Sequence, residues 1–221
     1  MGSGMSEGYR QRLARLLAGE ARGAALARRL VSRAGCRGLD LWTLHRQVRE
    51  RVERRGEGPH PPFAIDAAAL ELVCDGSLGG LARWLRGAGY PARFARGRSG
   101  RSLAAEPAGS EVLLTSDSRV TARSAVRRGE LRALWIPVDL HPADQLGLVL
   151  EDLRLPLREP RCMRCGGEQR AVAKAEVAHR IPPRTARWLD DYFVCRGCDW
   201  LYWRGTHWRR IEARLAGRVV P

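Results

Sequence analysis

Four cysteines have the spacing that speaks most directly of chemistry. Cys162-Met-Arg-Cys165 and Cys195-Arg-Gly-Cys198 form two Cys-x-x-Cys pairs. A tight turn at each pair aims two thiolates at one ion, and the chain between them joins the turns into a tetrahedral zinc site. Gly166, Gly167 and Gly197 let the backbone curl toward sulfur. A zinc held by four thiolates is coordinatively full, so it holds a fold and activates no water. With the site filled, His207 is left for a phosphate contact or general acid–base work. Hydrolytic chemistry, if any, must come from other residues.

Asp75 and Asp117 are the acids best placed for it. Each closes a short apolar run, Leu70–Asp75 and Glu111–Asp117, just before a helical pattern. Ligands of parallel sheets bind beyond the carboxyl ends of the strands. Two carboxylates there repel, and Mg²⁺ relieves the repulsion while keeping sites for water and phosphate oxygens. That arrangement suits phosphodiester hydrolysis. Thr115 and Ser116 can position water or phosphate, and Asp144 and Asp139 are further acids after the last strand; Glu106 and Glu111 are less well placed. Asp at a strand-to-helix turn is also a common helix N-cap. Pattern alone leaves both readings open.

Strand and helix alternate around these acids. Strands are expected at Leu70–Asp75, Tyr90–Ala95, Glu111–Asp117 and Leu131–Val138, and helices from Leu78 to Gly87 or Gly89, from Ser118 to Arg128 and from Pro142 to Leu153. Residues 63–158 therefore read as an α/β domain with a mostly parallel sheet flanked by helices. Residues 159–211 hold the cysteine pairs, and residues 212–221 form a tail. Residues 1–4 read as an expression scar, and residues 5–60 as a basic helical region. Asp40 there can cap a helix whose exposed side carries Arg46, Arg49, Arg51, Arg54 and Arg55. Such a face is either solvated or tracks phosphate. These helices are also a candidate docking element for a protein partner or a second copy.

The chain has 221 residues and a formal charge of +15, and Lys174 is the sole lysine among 39 basic residues. A GC-rich coding sequence would explain arginine over lysine, but not the excess over acids. Arginine forks match phosphate and stack on bases, which points to nucleic acid. Arg83, Arg86, Arg98, Arg101 and Arg119 flank the acids. Arg204, His207 and Arg209 interleave with Tyr192, Phe193, Trp200, Tyr202, Trp203 and Trp208, a composition suited to unpaired bases. Of these aromatics, Phe193 and Trp200 are expected in the core of the cysteine module. No segment has the length and apolarity of a membrane span. With cysteines used for metal, a cytoplasmic setting is expected, and Cys36 and Cys74 read as reduced, partly buried thiols.

Val73-Cys-Asp75-Gly-Ser-Leu-Gly-Gly-Leu-Ala-Arg-Trp-Leu-Arg-Gly-Ala-Gly-Tyr90 resembles the opening motif of the Mut-seven C-terminal RNase family, and Leu113-Leu-Thr-Ser-Asp117 its second acidic motif. Lys174-Ala-Glu-Val, Ile181-Pro-Pro183 and Tyr202-Trp-Arg-Gly-Thr-His-Trp208, with the cysteine pairs, resemble its zinc-bearing end. The resemblance runs from about Phe63 to Ile211. It implies a PIN-like nuclease fold and a metal-dependent endoribonuclease, a hydrolase holding Mg²⁺ or Mn²⁺ on Asp75, Asp117 and Asp144 or Asp139. Structured RNA (tRNA, rRNA or a ribonucleoprotein) is the implied partner. The family also carries acids where this chain reads Arg96-Gly-Arg-Ser-Gly-Arg-Ser-Leu103. Arginine reverses the local charge, weakening cation binding and attracting phosphate. Three readings stand: an endoribonuclease, a catalytically lapsed domain that binds RNA without cutting it, and, favoured only by the N-terminal helices, a DNA-binding or protein-interaction module.

Overall fold

The computed structural model describes residues 9–14, 17, 23–36, 43–44, 47–48, 51, 65–66, 68–106, 110–121, 123–205, 208–209 and 211–213. Helix α1 (Gly23–Cys36) precedes the α/β region. That region runs β1 (Leu72–Cys74), α2 (Gly79–Gly87), β2 (Ala92–Phe94), α3 (Gly100–Leu103), β3 (Val112–Thr115), α4 (Ser118–Thr121), α5 (Ser124–Arg127), β4 (Ala133–Trp135) and α6 (Pro142–Leu153). The expected mostly parallel sheet flanked by helices is what the chain forms. Its strand order is β2-β1-β3-β4, and every pairing is parallel.

β1, β3 and β4 are buried along their whole length, which is why they read as unbroken apolar runs rather than alternating ones. On one face, Leu81, Leu85, Leu146, Val149 and Leu150 of α2 and α6 close over Leu72, Cys74, Leu114 and Leu134. Close approach explains two glycines at the start of α2. A Cβ on Gly79 would lie 2.9 Å from the Phe94 ring, and one on Gly80 would lie 2.7 Å from Pro142. On the other face, Val73, Leu113 and Ala133 pack with Leu103 and Val120.

The single helix expected over Ser118–Arg128 is two short ones. Arg123 is extended between them (ψ 148°), and its guanidinium donates to Ala104 O at 2.9 Å. The stretch after Gly97, which has little periodicity, contains α3. Ser99 caps it by accepting from Ser102 N at 3.1 Å. The helix expected from Asp40 lies largely outside the described residues, as do Arg46, Arg49, Arg54, Arg55 and the side chain of Cys36.

The N-terminal residues that are described build onto the sheet edge. Tyr9, Leu13, Leu17, Ala27, Val31, Leu44 and Val48 gather around Trp135 of β4. Tyr9 meets the Trp135 ring edge-on at 5.1 Å. Fully buried Arg12 pairs with Asp152 and donates to Trp135 O. Arg12 thereby satisfies one backbone carbonyl of edge strand β4.

The C-terminal region runs β5 (Gln169–Val172), α7 (Lys174–Val177), α8 (Pro183–Ala186), β6 (Tyr192–Cys195) and β7 (Leu201–Trp203). Its three strands form an antiparallel sheet, β5-β6-β7. Val177, Ile181, Leu189, Tyr192, Val194 and Leu201 make its small core. Trp200, expected in that core, is half exposed with the Arg164 guanidinium 4.8 Å above its ring. Phe193 is half-buried under Arg204, 4.9 Å away. Both rings lie on the outer side of a three-stranded sheet too small to bury them.

Candidate functional site

The two acidic motifs meet because β1 and β3 are hydrogen-bonded neighbours, with Cys74 opposite Leu114. Asp75 and Asp117 follow these strand ends. Asp75 is buried, and its carboxylate is well supplied with donors. Oδ2 accepts from Thr115 Oγ1 at 2.9 Å, Ser116 N at 2.8 Å and Ser116 Oγ at 3.1 Å, and Oδ1 accepts from Ser77 N at 3.0 Å. The Thr115 hydroxyl also accepts from Asp117 N at 3.1 Å, so one side chain ties both motifs together. The Ser77 and Ser116 hydroxyls lie 3.3 Å apart at the mouth of the corner.

Asp117 is held differently. Oδ1 accepts from Arg119 N at 3.0 Å and Arg119 Nε at 2.9 Å, while Oδ2 accepts from Arg119 Nη2 at 3.1 Å. Arg101 Nη2 stands 3.6 Å from Oδ2. The Arg119 hydrogen bonds outweigh partial burial, and the carboxyl is held below the usual range. Asp117 does cap the turn into α4, as an Asp in this position can, but the guanidinium clamp goes further than a cap.

Asp144 sits in the first turn of α6, and exposed Asp139 precedes that helix. Among the described residues, only Cys162, Cys165, Cys195 and Cys198 form a set of three or more His, Cys, Asp or Glu groups close enough for one ion. Asp75, Asp117 and Asp144 form no such set. As arranged, the pair also fits a divalent cation poorly, because Arg119 occupies both oxygens of Asp117.

Two participants carry no sequence signal of their own. Ser77 reads only as a turn residue, yet its N–H holds Asp75. Gly100 lies in a segment of weak pattern, yet a Cβ there would stand 1.8 Å from Thr115 Oγ1 and 3.2 Å from Asp75 Oδ2. Only the lack of a side chain lets α3 come this close. Trp135 Nε1 donates to Ser116 O at 3.0 Å, linking the N-terminal cluster to the same loop.

The arginines divide by environment. Arg83, Arg101, Arg119, Arg204 and Arg209 are exposed, and Arg98 is partly buried and paired with Glu106. Arg86 departs from the expected nucleic-acid face. It is 8% exposed and donates to Ala92 O at 2.8 Å, Met163 O at 3.2 Å and Arg164 O at 2.8 Å. Its chemistry is spent joining the α/β region to the first cysteine turn. His207 lies outside the described residues.

The four thiols converge without disulfides. Cys162 Sγ is 3.6 Å from Cys198 Sγ, and Cys165 Sγ is 3.4 Å from Cys195 Sγ. A tetrahedron of thiolates around zinc has edges of ~3.8 Å, so the set can hold a metal ion such as zinc. Backbone N–H groups of Cys165, Gly167 and Gly197 point at sulfur, as such turns require. Gly166 takes φ +86° to close the first turn. Tyr202 Oη lies 3.1 Å from Cys162 Sγ, within hydrogen-bonding reach. Burial pushes the Cys162 thiol up, but hydrogen bonds from Tyr202 and the N–H groups of Cys165 and Arg164 bring it down to about 6. Burial and the neighbouring thiols push Cys198 up to about 12. Cys74 is different. Burial first, then the Asp75 charge, raises its pKa and keeps it a neutral core thiol.

Fold and site together define an α/β protein with acids at its strand ends and, joined to it through Arg86, a four-thiol module that can hold a metal ion. The Mut7-C RNAse domain model matches residues 70–215, about two thirds of the chain, and the chain belongs to that family. No curated protein and no solved structure matches it. Among the described residues, no helix is long and apolar enough to cross a membrane.

Proposed function

We propose that the protein binds structured RNA, tRNA or rRNA free or within a ribonucleoprotein, through its arginine-rich surface. In this reading Asp75 and Asp117 form an acidic corner held in an arginine-clamped state that does not cut. The observation that carries it is the engagement of both Asp117 oxygens by Arg119, with Arg101 beside them. The absence of any acid from Arg96 to Leu103 supports it. Exposed Arg83, Arg101, Arg119, Arg204 and Arg209 supply phosphate contacts, and Zn²⁺ on the four cysteines keeps the C-terminal arm folded.

A second reading, a Mg²⁺- or Mn²⁺-dependent endoribonuclease, is favoured by the Thr115 hydroxyl that joins Asp75 to Asp117 at adjacent strand ends. Arg119 and Arg101 would then turn to the RNA phosphate and release Asp117 for the cation. One experiment separates the readings. Structured RNA is incubated with the zinc-loaded protein and Mg²⁺ or Mn²⁺, beside Asp75→Asn and Asp117→Asn. A salt-sensitive gel shift without cleavage supports the binding reading. Cleavage by the wild type that both variants lose establishes the nuclease instead. Absence of any shift at low salt removes RNA binding altogether.

A further inference from the structure

The C-terminal arm contains a cleft of about 180 Å³ whose lining includes neither Asp75 nor Asp117. Phe193, Trp203 and Trp208 supply aromatic walls, Arg204 lies at its side, and Gln169 and Glu159 provide amide and carboxylate groups. We infer that this cleft is a binding site for a single unpaired nucleobase, so that the protein selects RNA with splayed single-stranded bases over continuous duplex. This rests on the RNA-binding reading above.

Size, chemistry and charge argue for that occupant. The cleft is smaller than the ~300 Å³ and upward typical of drug-sized ligands, so it has room for one ring system. Aromatic faces and guanidinium planes are what unpaired bases stack on. Here a guanidinium already lies 4.9 Å over the Phe193 ring, so a flat cationic platform is in place. The Arg204 contact to Glu159 is loose, at 3.4 Å between exposed groups, and leaves its charge available to a phosphate. Exposed Arg209 adds a second cation nearby in sequence. An apolar peptide side chain would leave the Gln169 and Glu159 groups unused, whereas a base edge can hydrogen-bond to them. Tyr202 also lines the cleft, and its hydroxyl lies against Cys162 Sγ. The wall is therefore anchored to the four-thiol centre, which gives the metal module a part in recognition as well as in folding.

Ala171 offers a clean test. It lines the cleft from β5, is exposed, and stands opposite Phe193 in the antiparallel register. Ala171→Trp fills the cleft without removing a core side chain, and Ala171→Leu fills less of it. The zinc-loaded full chain is titrated into a labelled RNA hairpin with a single-stranded loop and into a blunt duplex of equal length. Zinc content and near-ultraviolet dichroism establish that each variant is folded. The expected result is preference of the wild type for the hairpin, a loss of about tenfold in hairpin affinity for Ala171→Trp, a smaller loss for Ala171→Leu, and unchanged duplex affinity. Equal hairpin affinity in wild type and folded Ala171→Trp, equal losses on both RNAs, or no preference by the wild type overturns the base site while leaving RNA binding intact. Failure of the wild type to bind either RNA overturns the underlying RNA reading instead.

Discussion

Asp75 and Asp117 occupy equivalent strand ends but do different work. Asp75 accepts four hydrogen bonds and is buried. Replacing it by Ala strands the donors of Thr115, Ser116 and Ser77, each costing about 1–3 kcal/mol where water cannot replace the acceptor. We expect Asp75→Ala to lower the denaturant midpoint clearly, and Asp75→Asn less; a midpoint unchanged in both would contradict the hydrogen-bonded role. Gly100→Ala sets a methyl against Thr115 Oγ1, and overpacking of this kind costs about 1–3 kcal/mol. Its effect is read as a lower melting temperature. For Asp117 the sign of the pH effect follows from its depressed carboxyl pKa. The stability it contributes is present above the ordinary carboxylate pKa of about 3.9 and is lost as pH falls through the lowered value. Urea midpoints from pH 5 to pH 2 should therefore converge for wild type and Asp117→Asn. The two acids were legible in sequence because each ends an apolar run. Ser77 and Gly100 were not, because a backbone N–H and a missing side chain have no pattern until the chain folds around them. The Arg119 clamp depends on a rotamer, which composition does not encode. Arg86 was misassigned for the opposite reason: arginine on a basic surface suggests phosphate, and only the fold reveals three carbonyl acceptors around this one.

Strands β1, β3 and β4 were readable as buried runs, and α6 as a helix opened by Pro142. The misread elements are the short ones. α4 and α5 share a helical composition, but the extended Arg123 between them answers a tertiary carbonyl, Ala104 O. α3 is four residues held by one serine cap. The least legible feature is the role of the N-terminal region, because its apolar face has meaning only once Trp135 is known to be its partner. That contact connects Tyr9 to the acidic loop: Tyr9 packs on Trp135, and Trp135 Nε1 holds Ser116 O. Arg12 ties the same stretch of chain to α6 through Asp152, with side chains 0% and 5% exposed. Removing one member of a buried pair typically costs about 3–5 kcal/mol, because the other charge stays behind. Arg12→Met should therefore destabilise strongly, and Asp152→Leu added to it should recover part of the loss. A double-mutant cycle in urea checks this, and a double variant no better than Arg12→Met would deny the pair its energetic role.

At the scale of the whole molecule, one buried arginine links the parallel-sheet region to the four-cysteine module. Arg86 reaches from α2 to the carbonyls of Met163 and Arg164, inside the first Cys-x-x-Cys turn. Arg161 N returns a hydrogen bond to Arg86 O at 2.9 Å. Among the described residues, the C-terminal core cluster has six buried members, and modules of that size commonly depend on a bound metal to fold. Chelation should therefore unfold residues from about 160 onward while the parallel sheet persists. The sheet should not be indifferent to the loss, because the Arg86 guanidinium would forfeit two of its three acceptors. We expect protease cleavage to appear between Cys162 and Cys198 on chelation, together with a lower melting temperature for the protected remainder. Arg86→Met should weaken that coupling, so that chelation shifts the melting of the remainder less. Protons compete with the metal for the thiolates, so binding releases them. At fixed free zinc, occupancy should fall as pH is lowered from 8 to 6, measured by competition with a colorimetric chelator. A remainder that melts at the same temperature with and without zinc would mean that the two cores are merely adjacent, and that the Arg86 bridge carries no energy between them.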